Sequence, residues 1–154
     1  MDTKKVLADF QMLTNRVSKL DLDGLSLNRP DFKLTMEYDI DYNIIAVEKN
    51  DDQWVGLEEV YVCIKGNSDT ENIFHINLTM EGIFIGDSNK IEKDKFIERL
   101  ELNGLATLCH LSRAYLISVS SLSGINPPFR LPMINVHSLV KMKKEKEDAK
   151  NIKG

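Results

Sequence analysis

The sequence has little of what usually marks a secreted or membrane protein. Two cysteines, Cys63 and Cys109, are too few for a disulfide framework, so we expect free thiols in a reducing compartment. No apolar run approaches the ~18 residues that a membrane-spanning helix needs. The first ten residues alternate charged and apolar side chains without the apolar core of a signal peptide. The expected location is cytoplasmic, without membrane insertion.

Motifs that carry chemistry are also missing. His75, His110 and His137 have no second ligand at metal-binding spacing and no nucleophile paired with them. Neither a Walker sequence nor a G-x-G-x-x-G fingerprint is present. The pair Glu58-Glu59 is interpreted as exposed-strand carboxylates, because the sequence indicates no pocket for acid–base catalysis. We therefore expect no enzyme activity, no metal and no cofactor.

Length indicates one domain, and net charge argues against one class of partner. The chain of 154 residues is long enough for a single domain with a real core. A net charge of −4 argues against nucleic acid as the main partner. From residue 141 onward the chain is rich in lysine, mixed with glutamate and aspartate. We expect one domain over residues 1–143 and a charged, flexible tail over residues 144–154.

Alternation of apolar and polar side chains predicts long strands. Over residues 32–44 every second side chain is apolar or aromatic and those between are polar, which is typical of a strand with one buried face. The apolar positions are Phe32, Leu34, Met36, Tyr38, Ile40, Tyr42 and Ile44. Residues 54–65 and 71–85 alternate similarly, with Val60, Val62 and Ile64 on one face and Gly82 marking a bulge or a close backbone approach. Short turns join these three strands into an antiparallel meander.

The beginning of the chain is ambiguous. Val6, Leu7, Phe10, Leu13 and Val17 recur at helical spacing, which predicts a short helix within residues 4–20. From Ser18 the alternation is strand-like, so this stretch could supply a fourth strand. Residues 25–31 are then a crossover loop.

The second half of the chain predicts a long helix over residues 94–122, with a kink or break at Asn103-Gly104. Between residues 105 and 122 the only ionic or imidazole side chains are His110 and Arg113. A helix that is apolar nearly all round is buried on more than one side, which in a small domain indicates a subunit interface. The predicted interface residues are Leu105, Leu108, Leu111, Ser112, Tyr115, Leu116, Val119 and Leu122. An extended connector follows, and Asn135 is a plausible N-cap for a last helix.

Several stretches resemble one known family, and they stand in the order that this family has along its chain. ENIFHINLTMEGIF at residues 71–84 resembles a strand of the SecB family of export chaperones, which ends in the same Gly-Ile-Phe. FQMLTNRVSKLDLDG at residues 10–24 is similar to the first SecB strand, and the helix with Arg113 stands where SecB has its interface helix. PPFRLPMINVHSLV at residues 127–140 resembles the SecB connector and last helix.

The resemblance implies an α+β fold: a four-stranded antiparallel sheet with a long interface helix and a short C-terminal helix. It implies a homotetramer, built as a dimer of dimers, that holds unfolded preproteins in apolar surface grooves without ATP or a cofactor. Flexible and aromatic side chains would allow many clients to bind. The candidate groove residues are Leu25, Leu27, Phe84, Phe129, Leu131, Met133, Val136 and Leu139, for each of which ordinary packing is the alternative.

Partners follow from the same resemblance. SecB proteins deliver clients to the SecA motor through acidic residues on the outer sheet surface, and Asp21, Asp23 and Glu71 lie at or near such positions. The lysine-rich tail differs from the acidic SecB tail, which puts tail-mediated contact with SecA in doubt. Some SecB-like chaperones serve the antitoxin of a toxin–antitoxin pair, and this remains an alternative. A non-enzymatic oligomeric adaptor or small-ligand-binding protein is the alternative from another class.

Overall fold

The protein is a sheet covered on one face by helices. In the computed structural model, residues 8–24, 35–67 and 72–151 are described. The strands are β1 (Phe10–Asp23), β2 (Thr35–Asn50), β3 (Gln53–Asn67) and β4 (Asn72–Asp87). The helices are α1 (Lys93–Arg99), a π-helical segment (Leu100–Gly104, here the π-segment), α2 (Leu105–Leu122) and α3 (Val136–Asn151).

The four strands form one antiparallel sheet in the order β1-β4-β3-β2, which confirms the predicted α+β class. β3 and β4 are central, whereas β1 and β2 lie at the two edges. The predicted meander of β2, β3 and β4 therefore has consecutive strands as neighbours, and β1 joins it next to β4.

The beginning of the chain was predicted wrongly from periodicity. β1 starts at Phe10, where a helix was expected, as the resemblance had implied. Two register shifts, at Leu13 and at Ser18, each place an additional residue in β1 relative to β4. Each extra residue shifts the alternation by one position, because side chains on a strand repeat every two residues. The inward side chains Phe10, Val17 and Leu20 therefore stand at spacings that imitate a helix.

Even-numbered residues of β3 and β4 face the helices. Val60, Val62 and Ile64 are buried, which confirms that they share a face. Glu58 is in phase with them and is fully buried (0% exposed), so the interpretation of Glu58-Glu59 as two exposed carboxylates was wrong for Glu58. The reason is the same alternation, since position 58 falls on the inner face whatever its side chain.

The polar face of β2 is open to solvent, as its alternation predicts. Glu37, Asp39 and Asp41 are exposed on the outer side of the sheet, while Tyr42 on the inner side is buried. β2 is an amphipathic edge strand over its described length.

The helical layer lies close against the sheet. The predicted break at Asn103-Gly104 takes the form of the π-segment, which ends at Gly104 and leads directly into α2. Gly82 on β4 allows α2 to approach, because a Cβ atom there would lie 2.8 Å from Leu108 Cδ2. At one end of the sheet Phe10 stacks on Phe84, with ring centroids 5.4 Å apart.

The last helix is longer than expected. α3 continues to Asn151, whereas the sequence predicted a flexible tail from residue 144. Lysines and glutamates alternate along it, and pairs such as Lys141–Glu145 (3.9 Å) stand at the i, i+4 spacing that favours a helix. Among the described residues, no helix is long and apolar enough to cross a membrane.

Candidate functional site

A groove runs between the edge strand β2 and the helix α3. No described strand pairs with the outer side of β2, so part of its main chain is available to a partner. The groove has a volume of about 610 Å³. Its walls are Tyr38, Asp39, Ile40, Asp41 and Asn43 from β2, Ile134 from the connector, and Leu139, Met142, Lys143, Lys146, Glu147 and Lys150 from α3.

The apolar part of the groove is accessible. Tyr38 is 42% exposed and Met142 is 54% exposed, although both are large apolar side chains. Ile40 and Leu139 are half-buried between them. These four side chains form an apolar strip. Because large apolar side chains at a concave surface commonly mark a binding site, this strip is the best candidate for one in the described chain.

Lys143 anchors α3 to β2. Its ammonium group donates to Asp41 Oδ1 (2.9 Å), to Asn43 Oδ1 (2.8 Å) and to the carbonyl oxygen of Tyr42. The same group lies 4.7 Å from the centroid of the Tyr42 ring, within range of a cation–π interaction. All three ammonium donors are used, so Lys143 links α3 to β2 at Asp41, Tyr42 and Asn43.

Charges in the groove are arranged in opposite pairs. Partial burial works against ionisation of Asp41, but hydrogen bonds from Lys143 and from the Tyr42 amide outweigh it and lower the pKa of the Asp41 carboxyl. Burial, with the nearby carboxylates, raises the pKa of the Tyr42 phenol, so it stays neutral. Asp39 and Asp41 on β2 lie across the groove from Lys146 and Lys150 on α3.

The predicted groove residues do not form one surface. Leu139 lines the groove, and Met133, which is 71% exposed, lies with Val136 at a small cleft beside α2. Phe129 packs on Phe74 with centroids 4.6 Å apart. Phe84 and Leu131 are each 1% exposed, so they are core residues and not part of an open groove. Leu25 and Leu27 lie outside the described residues.

The predicted interface residues divide into two groups. Leu105, Leu108, Ser112 and Leu116 are buried within the chain's own core, which accounts for four of the eight predicted interface positions. Leu111, Tyr115 and Val119 are half-buried, and Leu122 is 90% exposed. The interface prediction therefore depends on the second group.

The predicted SecA-docking residues lie partly on the described sheet. Asp21 and Asp23 are exposed on β1, opposite Asn77 and His75 of β4. Asp21 forms a 3.1 Å ion pair with Lys19, and Glu71 lies outside the described residues.

Sequence reasoning missed two side chains that the structure makes prominent, Glu58 and Lys143. Burial raises the pKa of Glu58 to about 9, helped by the nearby Glu101 carboxylate. The spacing of both residues could have identified them. Glu58 lies two residues before Val60 and so shares its inward face of the strand, and Lys143 lies one helical turn after Leu139 and so shares its side of the helix.

The thiols and histidines form no chemical centre in the described chain. Burial, and secondarily the Glu58 carboxylate, raises the pKa of the Cys109 thiol to about 11, which keeps it protonated and unreactive at neutral pH. No group of three histidine, cysteine, aspartate or glutamate side chains in the described ranges could hold a metal ion.

Comparison with solved structures finds proteins of similar fold. No protein-family model and no curated protein sequence matches the chain. The SecB-like chaperone Rv1957 of Mycobacterium tuberculosis, solved with a ChAD peptide from the antitoxin HigA1, is similar with a TM-score of 0.58 and 15% identity, over 82% of this chain and 91% of that one. A protein of unknown function from Streptococcus agalactiae is similar at a TM-score of 0.41 and 10% identity, over 80% of this chain and 96% of that one. The chain therefore has a SecB-like fold.

Proposed function

We propose that this protein is an ATP-independent holdase chaperone that binds unfolded polypeptide segments in the groove between β2 and α3. The observation that carries the proposal is an accessible apolar strip beside an edge strand that lacks a described partner on its outer side. An unfolded chain offers groups that this groove can pair with: apolar side chains for the apolar strip and unpaired main-chain groups for the edge strand. The SecB-like fold supports the proposal, since the similar mycobacterial chaperone was solved with a bound peptide.

The mode of binding follows from the two walls. An extended client segment pairs its main chain with β2, which satisfies groups on both chains without regard to sequence. Alternate client side chains then contact the strip around Tyr38 and Met142. Each Å² of apolar surface removed from water contributes about 25 cal/mol, so several weak contacts suffice for reversible binding. The flexible thioether of Met142 adapts to different client side chains.

The identity of the client is a separate part of the proposal. Unfolded preproteins, delivered to a translocase, are the first candidate class, and the exposed Asp21 and Asp23 are then available to a motor such as SecA. An antitoxin segment is the second candidate, favoured by the antitoxin peptide in the mycobacterial neighbour. We further propose a cytoplasmic homotetramer, in which other subunits cover the exposed face of α2.

A small-ligand-binding protein is the less favoured alternative. The volume of the groove lies within the range of small-molecule sites, but such sites are commonly enclosed and bury most of their ligand. Here Tyr38 and Met142 remain about half exposed, which suits an extended polypeptide lying in the groove better than a compact small molecule.

The test is suppression of aggregation of a reduced, unfolded client without ATP, with the mass of the oligomer measured in parallel. Tyr38→Asp should weaken client binding about tenfold, since it removes apolar contact area and adds a charge. Ile45→Asp is the matched control, because Ile45 is also an exposed apolar residue of β2 (51%) but lies outside the groove. A wild-type protein that leaves aggregation unchanged would refute the holdase function. Equal losses in both variants would refute this groove as the site.

A further inference from the structure

Glu58 is the most unusual side chain of the described structure. It lies in the central strand β3 and is fully buried. Neither carboxyl oxygen has a hydrogen-bond partner among the described residues. A buried polar group without a partner destabilises a fold, so its presence calls for an explanation beyond packing.

The side chain of Glu58 points at the π-segment. A Cβ atom added to Gly104, the last residue of the π-segment, would lie 2.4 Å from Glu58 Oε2. Gly104 has ordinary right-handed helical angles (φ −61°, ψ −55°), so the close approach to the carboxyl, rather than backbone conformation, requires glycine there. The carboxyl and the backbone of the π-segment are in direct contact.

The π-segment is itself an irregular element. The amide of Leu105 bonds to the carbonyl oxygens of Leu100 and Leu102, so the regular i to i−4 pattern of an α-helix is interrupted here. Such short π-helical turns are rare and frequently occur at functional sites. The Thr107 hydroxyl donates to the Asn103 carbonyl oxygen (2.7 Å), which satisfies one main-chain acceptor within the turn.

Other titratable groups near Glu58 come from several elements. They are Tyr42 from β2, Glu101 from the π-segment and Cys109 from α2. Glu101 is paired with Lys144 of α3 at 2.6 Å, on the outer side of the π-segment. Across β3, Glu58 stands opposite Gly82 of β4 and Ile44 of β2, which carry no charge. None of the acids near Glu58 can neutralise a negative charge on it. The cations that contact this group are held elsewhere: Lys144 pairs with Glu101, and Lys143, which lies over the Tyr42 ring, pairs with Asp41.

We propose that Glu58 is a neutral carboxylic acid while the π-segment is closed, and that opening of the π-segment exposes Glu58 and releases its proton to solvent. Acid then holds the π-segment against the sheet and base frees it. The Glu101–Lys144 pair transmits the movement to α3. This switch does not depend on whether the groove binds a client.

The direction in which pH shifts the opening equilibrium follows from the difference in the pKa of Glu58 between the closed and open states. In the open state Glu58 is in water and has an ordinary acid pKa, whereas in the closed state burial raises its pKa to about 9. Between these two values the closed state binds one proton more than the open state. The opening equilibrium constant therefore rises about tenfold for each pH unit between roughly pH 5 and pH 8.

Hydrogen exchange tests this directly. Amide exchange of a peptide covering residues 100–104 is measured from pH 5 to pH 8 and corrected for the intrinsic base dependence of exchange. In the wild type the corrected opening constant should rise about tenfold per unit, while in Glu58→Gln it should be flat. Glu48→Gln, which removes an exposed carboxyl on β2, is the matched control and should behave as wild type.

Three outcomes would overturn the proposal. The wild type and Glu58→Gln could show the same pH dependence. Alternatively, residues 100–104 could open with the same equilibrium constant as the core strands at every pH, which would indicate global unfolding instead of a local switch. The third outcome is measured by infrared spectroscopy. The proposal predicts that the carbonyl band of a protonated acid is present at pH 7 in the wild type and missing in Glu58→Gln. Its absence from the wild type would show that Glu58 is ionised in the closed state.

Discussion

At the scale of single residues, the structure places two titratable side chains where apolar ones would ordinarily stand. Glu58 is buried without a described partner, and Lys143 is half-buried with three. The two differ in energetic sign, because an unpaired buried carboxyl destabilises the fold, whereas a saturated ammonium group can stabilise it. Neither position was predicted from the sequence, because a titratable side chain usually predicts exposure. In each case the periodicity of the strand or helix predicted burial instead.

The stability of the fold should depend on Glu58 and on pH. The folded state raises the pKa of Glu58 from its usual 4.5 to about 9, so folding requires the neutral acid. The free energy of unfolding therefore falls as pH rises from about 4.5 to about 9, by up to about 3 kcal/mol at pH 7. Glu58→Gln should remove this dependence and stabilise the protein at pH 7 to 8, as measured by urea unfolding at pH 5 and pH 8.

The control for this prediction is again Glu48→Gln, which should leave the unfolding curves unchanged because that carboxyl is exposed. A Glu58→Gln variant that is less stable than wild type at pH 8 would show that the carboxylate is satisfied in the folded protein.

At the scale of elements, how far prediction succeeded depended on the regularity of each element. β3 and β4 alternate without interruption over most of their length, so the predicted buried face of Val60, Val62 and Ile64 was confirmed. β1 was misread as helix because bulges at Leu13 and Ser18 shift its alternation twice. Bulges depend on pairing with β4, which local periodicity does not contain.

The candidate groove could be predicted only in part, for a related reason. Leu139 lines the groove, so its predicted role in client binding stays a prediction, whereas Phe84 and Leu131 are buried in the core. Apolar side chains of the connector and strand ends look alike in sequence whether they face inward or outward. The role of β2 depends on its position at the edge of the sheet, which follows from strand order and not from the strand itself.

The attachment of α3 to β2 should depend on Lys143. Replacing it in Lys143→Met keeps most of the side-chain stem but removes the ammonium group and its hydrogen bonds to Asp41, Asn43 and Tyr42. We expect a loss of about 2 kcal/mol in the free energy of unfolding and faster amide exchange in α3, because hydrogen bonds to charged groups contribute about that much.

Lys141→Met is the matched control for this change. Lys141 lies on the same helix, its side chain is 75% exposed, and its only described ion pair, with Glu145, spans 3.9 Å, so its loss should have little effect. Equal effects of the two substitutions would show that Lys143 acts through helix propensity or net charge rather than through its contacts with β2.

At the scale of the whole molecule, the exposed face of α2 bears on assembly. Leu111 and Tyr115 are half-buried at the margin of the core, and Leu122, which helical spacing places on the same side of α2, is 90% exposed. Large apolar side chains on one exposed helix face commonly mark a contact with another protein. This face is the part of the predicted interface that the chain's own core does not explain.

Negative charges introduced on this face should therefore lower the number of subunits in the oligomer. Leu122→Asp combined with Leu111→Asp should lower the mass from a tetramer to a smaller species in native mass spectrometry, because a buried unpaired carboxylate is costly. Ile45→Asp, at an exposed apolar position on β2, should leave the mass unchanged. A wild-type protein that is a monomer at micromolar concentration would contradict the tetramer.

The most direct test of the proposed function is a hydrogen-exchange footprint of the protein with and without an unfolded client. Peptides covering the open part of β2, residues 35–43, and the groove wall of α3, residues 139–150, should exchange more slowly when the client is bound. The outer sheet surface around Asp21 should be unaffected by the client alone. Protection confined to other surfaces, or no protection at client concentrations that suppress aggregation, would contradict the groove between β2 and α3 as the binding site.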